Sequence, residues 1–304
     1  MAGARPLDPA KFRDPLVTAK GEPRARVALQ RLETLWLNTG TLCNLACATC
    51  YIESSPTNDA LVYLSLAEAE AYLDEAAALG AREIGFTGGE PFMNRDIVAM
   101  LRAALERGFE ALVLTNAMRP MRRFAAALLD IPRDERQRLT FRVSLDHHGR
   151  AVHEAERGAG TWEKALSGLL WLAANGFPVA VAGRRRGDGD EARRGYERLF
   201  AELGLAPRHL VLFPAMDAAA DVPEISESCW SILGVSPASP MCASSRMVVK
   251  AKGAARPHVV ACTLLPYDAR FALGESLAAA ARPVPLNHPH CARFCVLGGA
   301  SCSG

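Results

Sequence analysis

The chain has 304 residues, half of them apolar and 22% charged, with a formal net charge of +2. That suffices for a sizeable core, while the near-balanced charge gives no global basic field of the kind that serves nucleic acid or an anionic membrane surface. No run approaches the ~20 apolar residues of a membrane span, and the opening MAGARPLDPAKFRD lacks the apolar stretch of a secretory signal. Nine cysteines without such a signal therefore point to metal or redox chemistry in a reducing cytoplasm rather than to disulfides.

Residues 1–30 are polar, proline-bearing and weakly periodic, and read as an N-terminal arm that packs on the surface or is partly disordered. From Thr34 strand and helix alternate. TLWLNT (34–39) is a buried strand. LAEAEAYLDEAAAL (66–79) is a helix with Ser65 as N-cap and Gly80 beyond its end. REIGFT (82–87) is the second strand, followed by a helix from Arg95 to Glu106; EALVLTN (110–116) is the third, followed by a helix from Pro120 to Leu129. LTFRVSLD (139–146), FPVAVAG (177–183) and RHLVLFP (208–214) complete six strands, with helices at 161–176 and from Glu191 to Leu203 between them. This alternation predicts a parallel sheet with right-handed crossovers over residues 31–215, as an open sheet or a partial barrel. In either, functional groups sit at the carboxyl ends of the strands. After residue 215 the alternation ceases. Six of the nine cysteines crowd into residues 216–304, which read as a small second domain held by metal rather than by its own apolar content.

The densest chemical signal is LCNLACATCY (42–51), where Cys43, Cys47 and Cys50 stand in a Cys-x₃-Cys-x₂-Cys spacing directly after the first strand. Three thiolates hold three corners of a four-iron cluster and leave one iron open, whereas a structural zinc site wants four ligands; the nearest histidines downstream, His147 and His148, are about a hundred residues on. Gly88-Gly89-Glu90-Pro91 follows the second strand, its glycines permitting close backbone approach and its carboxylate suited to a ligand ammonium. Asn116, Ser144 and Asp146 end the third and fourth strands, where turn formation and capping are the competing explanations. His147 and His148 follow as candidate proton carriers or anion ligands, and Arg184-Arg185-Arg186-Gly-Asp-Gly-Asp closes the fifth strand as a solvated run or a grip on an acidic substrate.

The cysteine spacing with the GGEP turn resembles the radical S-adenosylmethionine (SAM) enzymes. The resemblance implies a partial (β/α)6 TIM-type barrel, a [4Fe-4S] cluster on Cys43, Cys47 and Cys50, and SAM chelated at the open iron and cleaved reductively to a 5′-deoxyadenosyl radical that takes hydrogen from a substrate. It places Gly88, Gly89 and Glu90 at the methionyl amino group, Tyr51 by the adenine, and Asn116, Ser144 and Asp146 by the ribose and methionyl carboxylate. Arg157, in HEAERGAGT, falls by that carboxylate, which a guanidinium suits.

Cys242 and Cys262 bracket a hairpin with a glycine turn, and Cys291-x₃-Cys295-x₆-Cys302 ends the chain. This resembles the SPASM and twitch extensions that hold auxiliary clusters, and implies one auxiliary [4Fe-4S] cluster on Cys242, Cys262, Cys291 or Cys295, and Cys302, with a four-thiolate zinc site as the alternative. Cys229, beside Trp230, is a hydrogen donor, a ligand or simply a buried thiol. His147, Asp217 and Cys229 are the catalytic candidates, with Tyr267 and Asp268 as further possible bases. An electron donor such as flavodoxin or ferredoxin is implied as partner. Members that modify ribosomal peptides commonly carry a leader-binding domain of about eighty residues, so thirty residues before the first strand favour a small molecule or short peptide as substrate; peptide crosslinking or thioether formation, and a non-catalytic Fe–S or zinc protein, are the alternatives.

Overall fold

A computed structural model describes residues 6–185, 187, 189–214 and 220–301. Its strands, in chain order, are β1 (Arg26–Val27), β2 (Thr34–Asn38), β3 (Glu83–Thr87), β4 (Glu110–Thr115), β5 (Leu139–Ser144), β6 (Val179–Arg184), β7 (Leu210–Phe213), β8 (Ser245–Val249), β9 (His258–Val260), β10 (Ala272–Gly274) and β11 (Val284–Pro285). The helices are α1 (Leu66–Ala78), α2 (Ile97–Glu106), α3 (Arg119–Arg122), α4 (Ala125–Leu129), α5 (Arg133–Arg136), α6 (Arg150–Arg157), α7 (Thr161–Ala174), α8 (Gly189–Leu203) and α9 (Cys229–Leu233).

Every residue of β2 is buried, as expected of a strand covered on both faces. It pairs in parallel with β3, Leu35 opposite Ile84 and Leu37 opposite Phe86, and β4 to β7 follow side by side in the same direction. Each return passes through at least one helix, since parallel neighbours require a crossover. α1 packs on α2, and α7 packs on β5 and β6. These six strands are the ones read from the sequence. The sheet does not stop with them: β8 pairs in parallel with the free side of β2, and β9 and β10 follow antiparallel. Among the described residues the order is β10-β9-β8-β2-β3-β4-β5-β6-β7, mostly parallel and not closed. The sheet therefore runs across the boundary expected near residue 215, and the hairpin between Cys242 and Cys262 forms part of it.

Helix α1 begins on a full capping box, the Ser65 side chain accepting from the Glu68 N–H and the Glu68 carboxylate accepting from the Ser65 N–H. The helix expected from Arg95 begins at Ile97, after a 3-10 turn, Pro91–Met93, in which the Glu90 side chain accepts from the Phe92 N–H. The helix expected from Pro120 to Leu129 is two pieces, α3 and α4. Helix α6 was not expected: its sequence RAVHEAER is polar almost all round and buries only His153 and Glu156.

The described part of the N-terminal arm lies on the surface and is anchored at buried Phe12, Thr18 and Arg24. β1 pairs antiparallel with β11, and Ala25 and Val27 are fully buried. Arg24, 1% exposed, donates to the carbonyls of Asp14, Val17 and Leu286 and to the Glu224 carboxylate, which also accepts from the Phe12 and Ala19 N–H groups.

Candidate active site

The loop leaving β2 is pinned along the end of β3. The Thr39 N–H and hydroxyl both donate to the Thr87 carbonyl at 2.8 and 3.0 Å, the Gly89 N–H to the Gly40 carbonyl at 2.8 Å and the Glu90 N–H to the Leu42 carbonyl at 3.1 Å. Such contact needs the two glycines. A β-carbon at Gly88, which has φ +137°, would lie 2.4 Å from the Gly40 oxygen, and one at Gly89 would lie 2.2 Å from the Leu42 oxygen. The GGEP turn thus presses against the chain entering Cys43.

At the strand ends one cavity of about 160 Å³ is lined by Cys43, Cys47, Cys50, Tyr51, Gly88, Gly89, Asn116, Ser144, Asp146 and Arg157. Its wall runs from Thr87 on β3 to Phe213 on β7. Laid flat, five strands would spread those ends over about 19 Å, so the sheet curls around the cavity. Burial pushes the Cys43 thiol up to about 12 and raises Cys47 as well, each aggravated by the neighbouring cysteines; a metal that displaces their protons overcomes this.

Glu90 lies behind this wall rather than on it. Its carboxylate, 2% exposed, accepts from the Thr115 hydroxyl at 2.8 Å, the Asn116 N–H at 2.9 Å and the Phe92 N–H at 3.2 Å. Burial raises it to about 7 against those donors. The Glu90 carboxylate, expected at a ligand ammonium, bonds the end of β4 and so sets Asn116. The Asn116 amide donates to the Asn44 side chain at 3.0 Å and reaches Cys43 Sγ at 4.0 Å.

Asp146 and Arg157 face each other. Arg157 Nε donates to Oδ2 at 2.7 Å and Nη2 to Oδ1 at 3.3 Å, and Arg184 Nε stands 3.4 Å from Oδ1. Burial opposes the charge on Asp146, yet the Arg157 guanidinium, with Arg184 behind it, holds its carboxyl below the usual range. Both residues, expected as separate ligand contacts, line the cavity, and Asp146 sets the orientation of the Arg157 guanidinium.

His147 does not line the cavity. Its Nδ1 accepts from the Gly149 N–H at 2.8 Å at the start of α6, and its ring stacks on His148 at 4.0 Å. Cys229 lies on α9, its sulfur accepting from the Ser226 N–H at 3.4 Å, and lines neither of the two cavities described here. The Tyr267 hydroxyl donates to the Ile52 carbonyl at 2.8 Å and Asp268 pairs with Arg270. Asp217 and Cys302 lie outside the described residues, as does Arg186. Sequence reasoning missed Arg142, Leu264 and Phe294, which line the cavity. Nothing local marks them, since β5 reads as an ordinary strand and the other two come from the C-terminal quarter.

A second, smaller cavity is lined by Cys242, Cys262, Cys291 and Cys295, with His290 beside them. Cys242 precedes β8 and Cys262 follows β9, while Cys291 and Cys295 share one π-helical turn, Cys291–Val296. Burial raises Cys242 to about 11 and pushes Cys262 and Cys291 well above the ordinary thiol value. Cys291 and Cys295 thus both line this cavity, where one of the two was expected beside Cys302, which lies outside the described residues. Leu264 lines both cavities, and Phe294, between Cys291 and Cys295, lines the first. Among the described residues no three Cys, His, Asp or Glu side chains form a group that could hold a metal ion, and no helix is long and apolar enough to cross a membrane.

Residues 37–185 match the family model of the radical SAM superfamily. Fe-coproporphyrin III synthase of Methanosarcina barkeri is 33% identical over 144 residues, 46% of this chain and 33% of that protein. The antilisterial bacteriocin subtilosin biosynthesis protein AlbA of Bacillus subtilis is 31% identical over 141 residues, 46% of this chain and 30% of that protein. The chain spans about a third of the length of these curated relatives. The crystal structure of Streptococcus suis SuiB bound to precursor peptide SuiA superposes with a TM-score of 0.63 at 12% identity, covering 84% of this chain and 66% of that one. At that identity the likeness concerns the fold.

Proposed function

Because the chain belongs to the radical SAM superfamily, a family that implies SAM and a [4Fe-4S] cluster, we propose that it reductively cleaves SAM and removes hydrogen from a small-molecule or peptide substrate. One observation carries this reading: Cys43, Cys47 and Cys50 share a single cavity with the Gly88-Gly89 turn and with Arg157. The residues fit the group. Three buried or half-buried thiols on one loop suit three irons of a cluster with one iron left open, and the glycine pair keeps side-chain bulk out of the space beside them. When bound, the cluster supplies the single electron that breaks the sulfonium of SAM.

The chain's own groups do the rest. Backbone atoms of Gly88 and Gly89 meet the methionyl amino group, and Arg157, oriented by Asp146, takes the methionyl carboxylate through paired N–H donors. Asn116 and Ser144 face the ribose, and Tyr51 faces the adenine. Leu114, Phe213, Leu264 and Phe294 add an apolar patch to a wall that also carries Ser54, Thr87, Thr115, Arg142 and Arg184, and that patch keeps water from a reactive intermediate. Cys242, Cys262, Cys291 and Cys295 would hold an auxiliary cluster across Leu264, which would supply a one-electron acceptor for a substrate radical.

A peptide substrate is the second reading for that wall. AlbA is named for bacteriocin biosynthesis and SuiB was crystallised with a precursor peptide, and an apolar surface formed by Phe213, Leu264 and Phe294 suits an apolar side chain. A reducing cytoplasm and an electron donor such as flavodoxin or ferredoxin accompany both readings. The test is anaerobic reconstitution with iron and sulfide, then reduction with SAM present. 5′-Deoxyadenosine and methionine are the expected products, lost in a Cys43/Cys47/Cys50→Ala variant. A zinc-loaded protein inert toward SAM would overturn the proposal.

A further inference from the structure

The turn between Cys47 and Cys50 is gripped from two sides, by the end of α6 and by the end of β6. Helix α6 ends at Arg157, so the carbonyls of its last turn lack partners within the helix. One of them, at Glu156, accepts from the Ala48 N–H at 2.9 Å. The Glu156 side chain reaches the same turn, Oε2 accepting from the Thr49 hydroxyl at 2.9 Å. From the opposite side Arg184, the last residue of β6, donates through Nη2 to the Thr49 carbonyl at 2.8 Å. Arg184 in turn stands 3.4 Å from Asp146, the carboxylate that also orients Arg157. Glu156 and Arg157 are consecutive, so the contacts close a ring: Thr49, Glu156, Arg157, Asp146, Arg184 and back to Thr49.

We propose that Glu156 and Arg184 are positioning residues that fix the Cys47–Cys50 turn, and that Asp146 links this grip to the guanidinium that reads the SAM carboxylate. The inference rests on the reading of Cys43, Cys47 and Cys50 as cluster ligands. Its physical basis is that Ala48 and Thr49 are exposed and small, so the turn has no packing of its own to hold two thiols at a fixed separation. Polar contacts from α6 and β6 supply what burial does not. Because Arg157 and Arg184 share one carboxylate, drawing Arg157 toward a ligand shifts the ion pair that Asp146 makes with Arg184, and so the turn feels whether SAM is present.

The test uses the reconstituted full chain with Thr49→Val, Thr49→Ser, Arg184→Gln and Arg184→Lys. Two quantities are read: the rate at which a ferrous chelator strips iron, with and without SAM, and the electron paramagnetic resonance spectrum of the reduced cluster before and after SAM. Cys43/Cys47/Cys50→Ala identifies which iron belongs to the N-terminal site, and iron at the C-terminal cysteines serves as the internal control. Thr49→Val and Arg184→Gln should release the N-terminal iron about tenfold faster, lose most of the protection SAM gives, and leave the C-terminal iron unchanged. Thr49→Ser, which keeps the hydroxyl, should behave as the parent chain, and Arg184→Lys should fall between. Release as slow as in the parent, with an unaltered SAM-induced spectral change, would overturn the grip. A parent chain that holds no iron at the N-terminal cysteines would instead overturn the cluster reading beneath it.

Discussion

A methyl group at Gly89 would sit 2.2 Å from the Leu42 carbonyl oxygen and 2.6 Å from its carbon, both backbone atoms of the chain entering Cys43. Neither can give without moving the loop. Gly89→Ala is therefore predicted to cost about 1–3 kcal/mol and to abolish SAM binding, seen as a lower melting temperature and a flat calorimetric titration; unchanged binding would show that the loop relocates freely. Arg157→Lys is a milder change. It keeps the charge beside Asp146 but gives up the forked donor pair, so SAM affinity is predicted to fall about tenfold, or about 1.4 kcal/mol, with the fold intact by circular dichroism. Residues such as these were legible because glycine pairs, cysteines and strand-end polar groups are rare enough to stand out. Glu90 was legible as important but not in its orientation. Its three donors, Thr115 and the backbone N–H groups of Asn116 and Phe92, come together only once β3 and β4 are aligned.

Single elements show where local sequence decides structure and where it yields. Helix α1 carries its own start signal, and Ser65→Ala is predicted to cost about 1 kcal/mol and lower the melting temperature by a few degrees. Helix α6 carries none: Gly149 at its N-cap makes no side-chain capping bond, and its buried face consists of His153 and Glu156. Tertiary contacts with the cysteine turn and with α7 impose it, and an isolated reading of RAVHEAER had no means to find it. The arm is a third case. Polar and weakly periodic, it is held by the buried Arg24–Glu224 pair, whose side chains are 0% and 6% exposed. Burial works against the charge on Glu224, but the Arg24 hydrogen bond, followed by the Ala19 and Phe12 N–H groups, leaves its carboxyl below the ordinary value. A depressed carboxyl stabilises the fold fully above its unfolded pKa and ceases to do so as pH falls through its folded one. Protection of the arm from proteolysis is thus predicted to be constant at neutral pH and lost below about pH 4. Glu224→Gln should show the loss already at neutral pH, with about 3 kcal/mol less stability.

Across the whole molecule the last quarter is stitched into the first. The arm pairs with β11, the hairpin β8–β9 extends the sheet from β2, and Leu264 stands between the two cysteine-lined cavities. The six-strand alternation was readable because each βα unit is local. The attachment of β8 to β2 was not, since the paired residues Thr34 and Ser245 are far apart in sequence and short runs such as SRMVV do not announce their partner. Cys242, Cys262 and Cys291, all buried, and half-buried Cys295 line one small cavity; burial holds the first three protonated, and a metal that displaced those protons would tie their segments together. Removing metal from the C-terminal cysteines, or Cys262→Ala, is predicted to loosen the segment from Cys242 to Val296, read as hydrogen exchange there rising by an order of magnitude or more while β4 and β5 stay protected. The same stitching sets a timetable. The strand that launches the cysteine loop is flanked on one side by β3, made soon after it, and on the other by β8, made when most of the chain has left the ribosome. Long-range pairing of this kind closes last. A ribosome stalled before Ser245 accordingly carries a loop that has its three sulfurs but lacks the second flank of the strand that launches it.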